Sequence, residues 1–155
     1  MTTRTYPRED VRTAAVEVPV ERDYSYTSFW LLRLGFFALP VIAGVDKFFD
    51  RLTDWSQYLW SGFPDLFNVS ATRFMYAVGI IEILAGLVVL LAPRIGSLLV
   101  AGWLGGIITN LVLVGLNGDE YWDIALRDFG LMTGALALFF LATHHARNVV
   151  SIRRS

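Results

Sequence analysis

The chain reads as an all-α polytopic membrane protein, an antiparallel four-helix bundle with both termini in the cytoplasm. Three observations predict this. Four apolar segments recur, each of about 20 residues, enough at 1.5 Å rise to cross a hydrocarbon core of about 30 Å. Hydrophobic residues make up 55% of the 155 positions and mean hydropathy is +0.51, too apolar for a soluble domain of this size. Arginines gather at the ends that such a topology places together, as the positive-inside rule requires of cytoplasmic segments.

Residues 1–27 mix Arg4, Arg8, Arg12 and Arg22 with Glu9, Asp10, Glu17 and Glu21. They lack the apolar run and small-residue cleavage site of a signal peptide, so a polar, disordered cytoplasmic tail is expected. The first span, residues 28–49, then acts as its own uncleaved insertion signal. Residues 50–71 form an outer loop in which Trp55, Tyr58, Trp60, Phe63 and Phe67 are of the types that sit at headgroup level. That segment serves either as an interfacial anchor or as a lid or docking surface. The second and third spans, 72–92 and 95–116, are separated only by Pro93-Arg94, which makes them antiparallel neighbours. Asn117-Gly118-Asp119 supplies turn chemistry before the fourth span, 124–143. Residues 144–155 form a basic cytoplasmic tail carrying Arg147, Arg153 and Arg154. The outer side holds Asp50, Asp54, Asp65, Asp119, Glu120 and Asp123 against Arg51 and Arg73. A multi-pass membrane protein with both termini in the cytoplasm fits this distribution.

Composition also narrows the chemistry. A formal net charge of −1 makes nucleic acid an unsuitable partner, and the absence of cysteine excludes disulfides, thiolate metal sites and Fe–S clusters. His144 and His145 are adjacent, so on a helix they splay about 100° apart and cannot form paired axial haem ligands. They mark the cytoplasmic end of the fourth span, where a cation complements the helix dipole. No covalent or metal cofactor is expected.

The informative residues are the polar interruptions in the spans. Glu82 stands near the middle of the second, where an ionisable side chain costs about 2.5–3.5 kcal/mol on insertion scales. Arg33, Asp46, Lys47, Asn110, Arg127 and Asp128 interrupt the others. Arg33, Phe37, Pro40, Gly44 and Lys47 form one helical stripe, and Met75, Gly79, Glu82, Gly86 and Val89 another. Gly102-x-x-x-Gly106 and Gly130-x-x-x-Gly134 offer small residues for close helix packing. Sharing or adjoining these stripes, the polar groups should face the bundle interior. At 1.5 Å per residue Glu82 lies about 15 Å below the outer boundary, Asn110 about 9 Å and Arg127-Asp128 about 5–6 Å. Arg33 alone lies near the cytoplasmic end. The outer cluster is either a set of structural ion pairs, with Lys47 and Arg127 free to snorkel outward, or a polar pocket for a small polar-headed ligand or for protons. Glu82 is the candidate catalytic residue, and Lys47, Asn110, Arg127, Asp128 and Arg33 are candidate ligand-binding residues.

These motifs resemble the DoxX-like family of small four-helix bacterial membrane proteins. The likeness rests on R-L-G-F-F-A-L-P-V-I-A-G-V-D-K-F-F, where Arg33, Gly44 and Lys47 fit the family pattern. It rests also on Glu82 in G-I-I-E-I-L-A-G-L and on R-D-F-G-L-M-T-G-A-L-A-L from Arg127 to Leu138. It covers residues 29–143 and leaves out the N-terminal tail and the aromatic loop. The resemblance implies a subunit of a membrane redox complex, of the kind that oxidises thiosulfate with quinone or accompanies superoxide- and thiol-handling enzymes. It carries over Arg33, Lys47 and Glu82 as site positions. The leading expectation is therefore an integral subunit of a quinone-linked respiratory or oxidative-stress complex, anchoring redox partners and contacting membrane quinone, non-autonomous as an enzyme. The alternatives are a non-catalytic assembly or scaffold protein, and a small transporter or proton path.

Overall fold

The computed structural model describes residues 24–118 and 121–152, with residues 146–152 by backbone alone. Residues 1–23 of the expected tail, Asp119, Glu120, Arg153, Arg154 and the side chain of Arg147 lie outside it. No strand occurs among the described residues. The elements are α1 (Ser25–Asp46), a 3-10 turn (Trp55–Tyr58), α2 (Gly62–Phe67), α3 (Ala71–Leu91), α4 (Pro93–Leu116) and α5 (Trp122–Ile152). Four stretches, α1, α3, α4 and Trp122–His145 of α5, are long and apolar enough to cross a membrane. The chain is a multi-pass membrane protein.

Local chemistry sets the boundaries. Past Asp46 the Lys47 N–H still donates to the Ala43 carbonyl, and the chain then turns at Asp50 with φ +47°. Ser70 caps α3, its Oγ accepting from the Arg73 N–H. Pro93 opens α4 at a position where a missing N–H costs nothing. Within the 50–71 segment, α2 ends on Asn68 in the left-handed region at φ +51°. Helix α5 runs to Ile152, past residue 143 where the apolar pattern stops, because no proline or glycine follows Gly134 to end it.

Packing between α1 and α3 is close. A Cβ built on Gly44 would lie 2.6 Å from the Gly79 carbonyl oxygen, and one on Gly79 would lie 2.6 Å from that of Gly44. Gly86 sits as closely on the backbone of Phe37, and Arg33 reaches the carbonyl of Leu90. At the other contact, Arg94 at the start of α4 donates to the Ala142 and Thr143 carbonyls of α5, while Gly115 receives the Trp122 ring. A core of Phe36, Ala85, Val89, Val100, Leu104, Ala135 and Leu138 joins the four long helices. Leu31, Leu34, Ile42, Ile80, Leu84, Leu98, Leu126 and Phe140 point outward and exposed. That apolar coat is unfavourable in water and suited to lipid.

One expectation is revised. Gly102, Gly106 and Gly130 make no close helix contact: a Cβ on any of them meets nothing within 4 Å. Leu104, Ala135, Leu138 and Ala142 form the seam there instead, which leaves these glycines on faces turned to lipid or to the interior cavity. Gly134 does pack, against the Phe36 ring.

Replacing Gly79 by Leu therefore forces α1 and α3 apart and costs about 1–3 kcal/mol, the usual scale of overpacking. Thermal unfolding in detergent reads this as a lowered midpoint, with Gly102→Ala unchanged or slightly raised as the control.

Candidate functional site

The polar side chains meet where α1 and α3 are closest. Lys47 Nζ donates to Glu82 Oε2 at 2.7 Å, and the two side chains are only 5% and 7% exposed. The glycines make room for this pair reciprocally. A Cβ on Gly44 would crowd Glu82 Cβ at 3.1 Å, and one on Gly79 would crowd Lys47 Cβ at 3.2 Å. The Lys47 ammonium also lies 3.7 Å from the centroid of the Trp55 ring, a cation–π contact on its other side. Trp103 of α4 points its indole N–H toward Glu82 Oε1 at 3.5 Å, the outer limit of a hydrogen bond.

Asp46, next in the chain to Lys47, works on the loop. Its carboxylate accepts from the backbone N–H groups of Arg51 and Leu52 at 3.1–3.2 Å and from the Trp55 indole at 2.8 Å. Asn110 of α4 holds the same segment farther along. Its Oδ1 accepts from the Trp60 N–H at 2.9 Å and its Nδ2 donates to the Tyr58 carbonyl. Tyr58 leans edge-on against Tyr121, with ring centroids 4.9 Å apart. Two polar latches thus draw residues 51–60 across the loop-side end of the bundle.

Beneath this segment lies a cavity of about 610 Å³. Phe36, Leu39, Pro40 and Ala43 of α1 form one wall, and Phe74, Met75, Val78 and Ala85 of α3 another. Val100, Trp103, Leu104, Gly106 and Ile107 of α4 and Ile124 and Leu131 of α5 complete the sides, with Thr53, Trp55, Tyr58, Leu59 and Phe63 as the roof. Lys47, Glu82, Asn110, Arg127 and Asp128 are the charged and amide side chains in this lining. An apolar, aromatic-walled space with a few convergent polar groups has the character of a site for a lipophilic ligand with a polar head.

Five of the six candidate site residues therefore share one cavity, in different roles. Glu82 and Lys47 are locked together. Asn110 spends its amide on the roof. Arg127 contributes to the rim but turns to Asp123, an i,i+4 partner at 2.8 Å, with both side chains largely exposed at 74% and 63%. Asp128 is half-buried in the wall. Arg33 is not brought to the cavity: it stacks over Phe29 and Trp30 and bonds to Leu90. Sequence reasoning missed Trp55 and Trp103 as direct neighbours of the ion pair. The second had a visible signal, since Trp103, Gly106 and Asn110 recur at helical spacing on one face. The roof over Lys47 had none, because loop residues carry no periodicity. No family model, curated protein or solved structure matches this chain.

Three variants test the geometry. Lys47→Ala leaves Glu82 as an unpaired buried carboxylate and costs about 3–5 kcal/mol, whereas Lys47→Met with Glu82→Leu recovers most of it. Unfolding midpoints of the single and double variants check this as a cycle. Asn110→Ala orphans the Trp60 N–H at a cost of about 1–3 kcal/mol and speeds protease nicking within residues 51–60. Arg127→Ala, at an exposed pair, changes stability by less than about 1 kcal/mol.

Proposed function

We propose that the chain is a DoxX-like integral membrane subunit of a quinone-linked redox complex, which anchors redox partners and holds a membrane quinone in the cavity. The observation that carries this reading is the Lys47–Glu82 pair set into the wall of an otherwise apolar and aromatic space of about 610 Å³. That volume falls within the range of small-molecule sites. Aromatic side chains from roof and wall suit a flat ring. An ammonium carries three N–H donors and a carboxamide two, so Lys47 and Asn110 each keep a donor beyond those given to Glu82 and Tyr58. Such donors fit ring carbonyl oxygens, and an isoprenoid tail suits the lipid-facing gaps between helices.

When bound, a quinone supplies two-electron, two-proton chemistry. The chain's own residues orient the ring, exclude water beneath the 51–60 roof and hold protons. Electrons come from a partner protein or a soluble donor. The distribution of arginines supports four antiparallel spans with both termini in the cytoplasm and the roof outside, and the DoxX-like resemblance supports a bacterial inner membrane. The proposed partners are the lipid bilayer and neighbouring redox proteins. A scaffold role is the second reading. Phe49, Leu52, Leu66 and Phe67 are exposed at the roof side, a surface that a client protein would cover.

The purified chain in lipid nanodiscs, titrated with a short-chain ubiquinone, should show saturable quenching of tryptophan fluorescence through Trp55 and Trp103. Gly106 lines the cavity and a Cβ there meets nothing within 4 Å, so Gly106→Phe directs a ring into the space the ligand would take. It should weaken binding by about tenfold or more, a factor of ten being about 1.4 kcal/mol. Quenching that does not saturate, or that Gly106→Phe leaves intact, removes the quinone from this site. A stoichiometric protein partner in the gently extracted complex, without quinone, would then leave the scaffold reading.

A further inference from the structure

Two carboxyl groups line the cavity, Glu82 from α3 and Asp128 from α5, and their surroundings differ. Glu82 is committed to Lys47 at 2.7 Å and is approached by the Trp103 indole. To accept a proton it must surrender the ammonium, which is itself buried and has only the Trp55 ring besides. Asp128 makes no hydrogen bond or ion pair among the described residues. The neighbouring cation in sequence, Arg127, is turned away to Asp123 at the exposed rim. Lys47 and Glu82 are the charged groups near enough to act on Asp128 electrostatically, and as a bonded pair they largely cancel one another.

The cavity therefore holds one balanced pair and one carboxyl with no counter-ion of its own. We propose that Asp128, rather than Glu82, is the group that takes up and releases a proton in this cavity. The inference rests on the quinone reading for the identity of the acceptor. With a quinone bound and two electrons delivered to it by the redox partner or soluble donor, the Asp128 carboxyl would give a proton to one ring oxygen. It would recover a proton from solvent at the Arg127–Asp123 rim and give the second, so that two electrons and two protons yield the quinol. Lys47–Glu82 stays intact throughout and acts as a fixed dipole that positions the head group. Exchange at Asp128 breaks no bond of the fold among the described residues, whereas exchange at Glu82 would break its ion pair with Lys47, which ties α3 to the end of α1.

Dicyclohexylcarbodiimide, an apolar reagent that forms stable adducts with protonated carboxyls, distinguishes the two residues in the full chain held in nanodiscs. Peptide mapping should find the adduct on Asp128 and none on Glu82, with loss of labelling in Asp128→Asn. In Lys47→Met, which frees Glu82 from its partner, an adduct on Glu82 should appear and shows that the reagent reaches the pair. Infrared difference spectra give a second readout independent of reagent access: the carbonyl band of a protonated carboxyl should be present in the wild type and lost in Asp128→Asn. An adduct on Glu82 in the wild type, or no band that depends on Asp128, overturns the assignment. Short-chain ubiquinone separates this inference from the reading beneath it. Protection of Asp128 from labelling supports both, while labelling indifferent to quinone retains the proton site and removes the quinone.

Discussion

An ammonium and a carboxylate inside an apolar bundle are tolerable only when they touch, and Lys47 and Glu82 touch because two helices come unusually close. Glycines at 44 and 79 bring the α1 and α3 backbones together, and each glycine leaves the space that the other helix's charged side chain occupies. The charges and the small residues are thus one device. Adding a methyl group at either glycine would press first on the facing carbonyl oxygen, 2.6 Å away, and then on the side chains beside it, those of the ion pair among them. Removing either charge would leave its partner buried without its counter-ion.

Most of the other polar groups at this end are arranged around that device. Asp46 draws the following loop back over Lys47 by gathering backbone N–H groups and the Trp55 indole, so that the ring covers the ammonium. Asn110 fastens the same loop from α4. Arg127 and Asp123 pair on the outside, where water carries most of the cost. Asp128 is left in the wall with no bonding partner among the described residues. This contrast between a paired and an unpaired carboxyl is what motivates the proton-exchange role proposed for Asp128.

Four long apolar helices were legible in residue order because each must satisfy its own backbone hydrogen bonds in lipid, a demand that writes itself as runs of about 20 apolar residues. The stripe carrying Gly44 and Lys47 and the stripe carrying Gly79 and Glu82 were legible for a related reason, since helical periodicity places small and charged residues on a common face. The glycines of α4 and α5 showed the limit of that rule. Gly102 and Gly106 stand four residues apart, as Gly130 and Gly134 do, yet a Cβ on Gly102, Gly106 or Gly130 meets nothing within 4 Å, because spacing identifies a face and not what lies opposite it.

Sequence alone thus determined the membrane-spanning helical class, the positions of the spans and the set of polar residues that had to be explained, all of them consequences of local hydrophobicity and periodicity. Tertiary structure decided which of those residues are partners. It paired Lys47 with Glu82, turned Arg127 outward, kept Arg33 at the far end, spent Asn110 and Asp46 on the loop, and left Asp128 unclaimed. Those outcomes depend on helix-to-helix distance and on a loop folded back over the bundle, and neither quantity is encoded in the order of residues along any one helix.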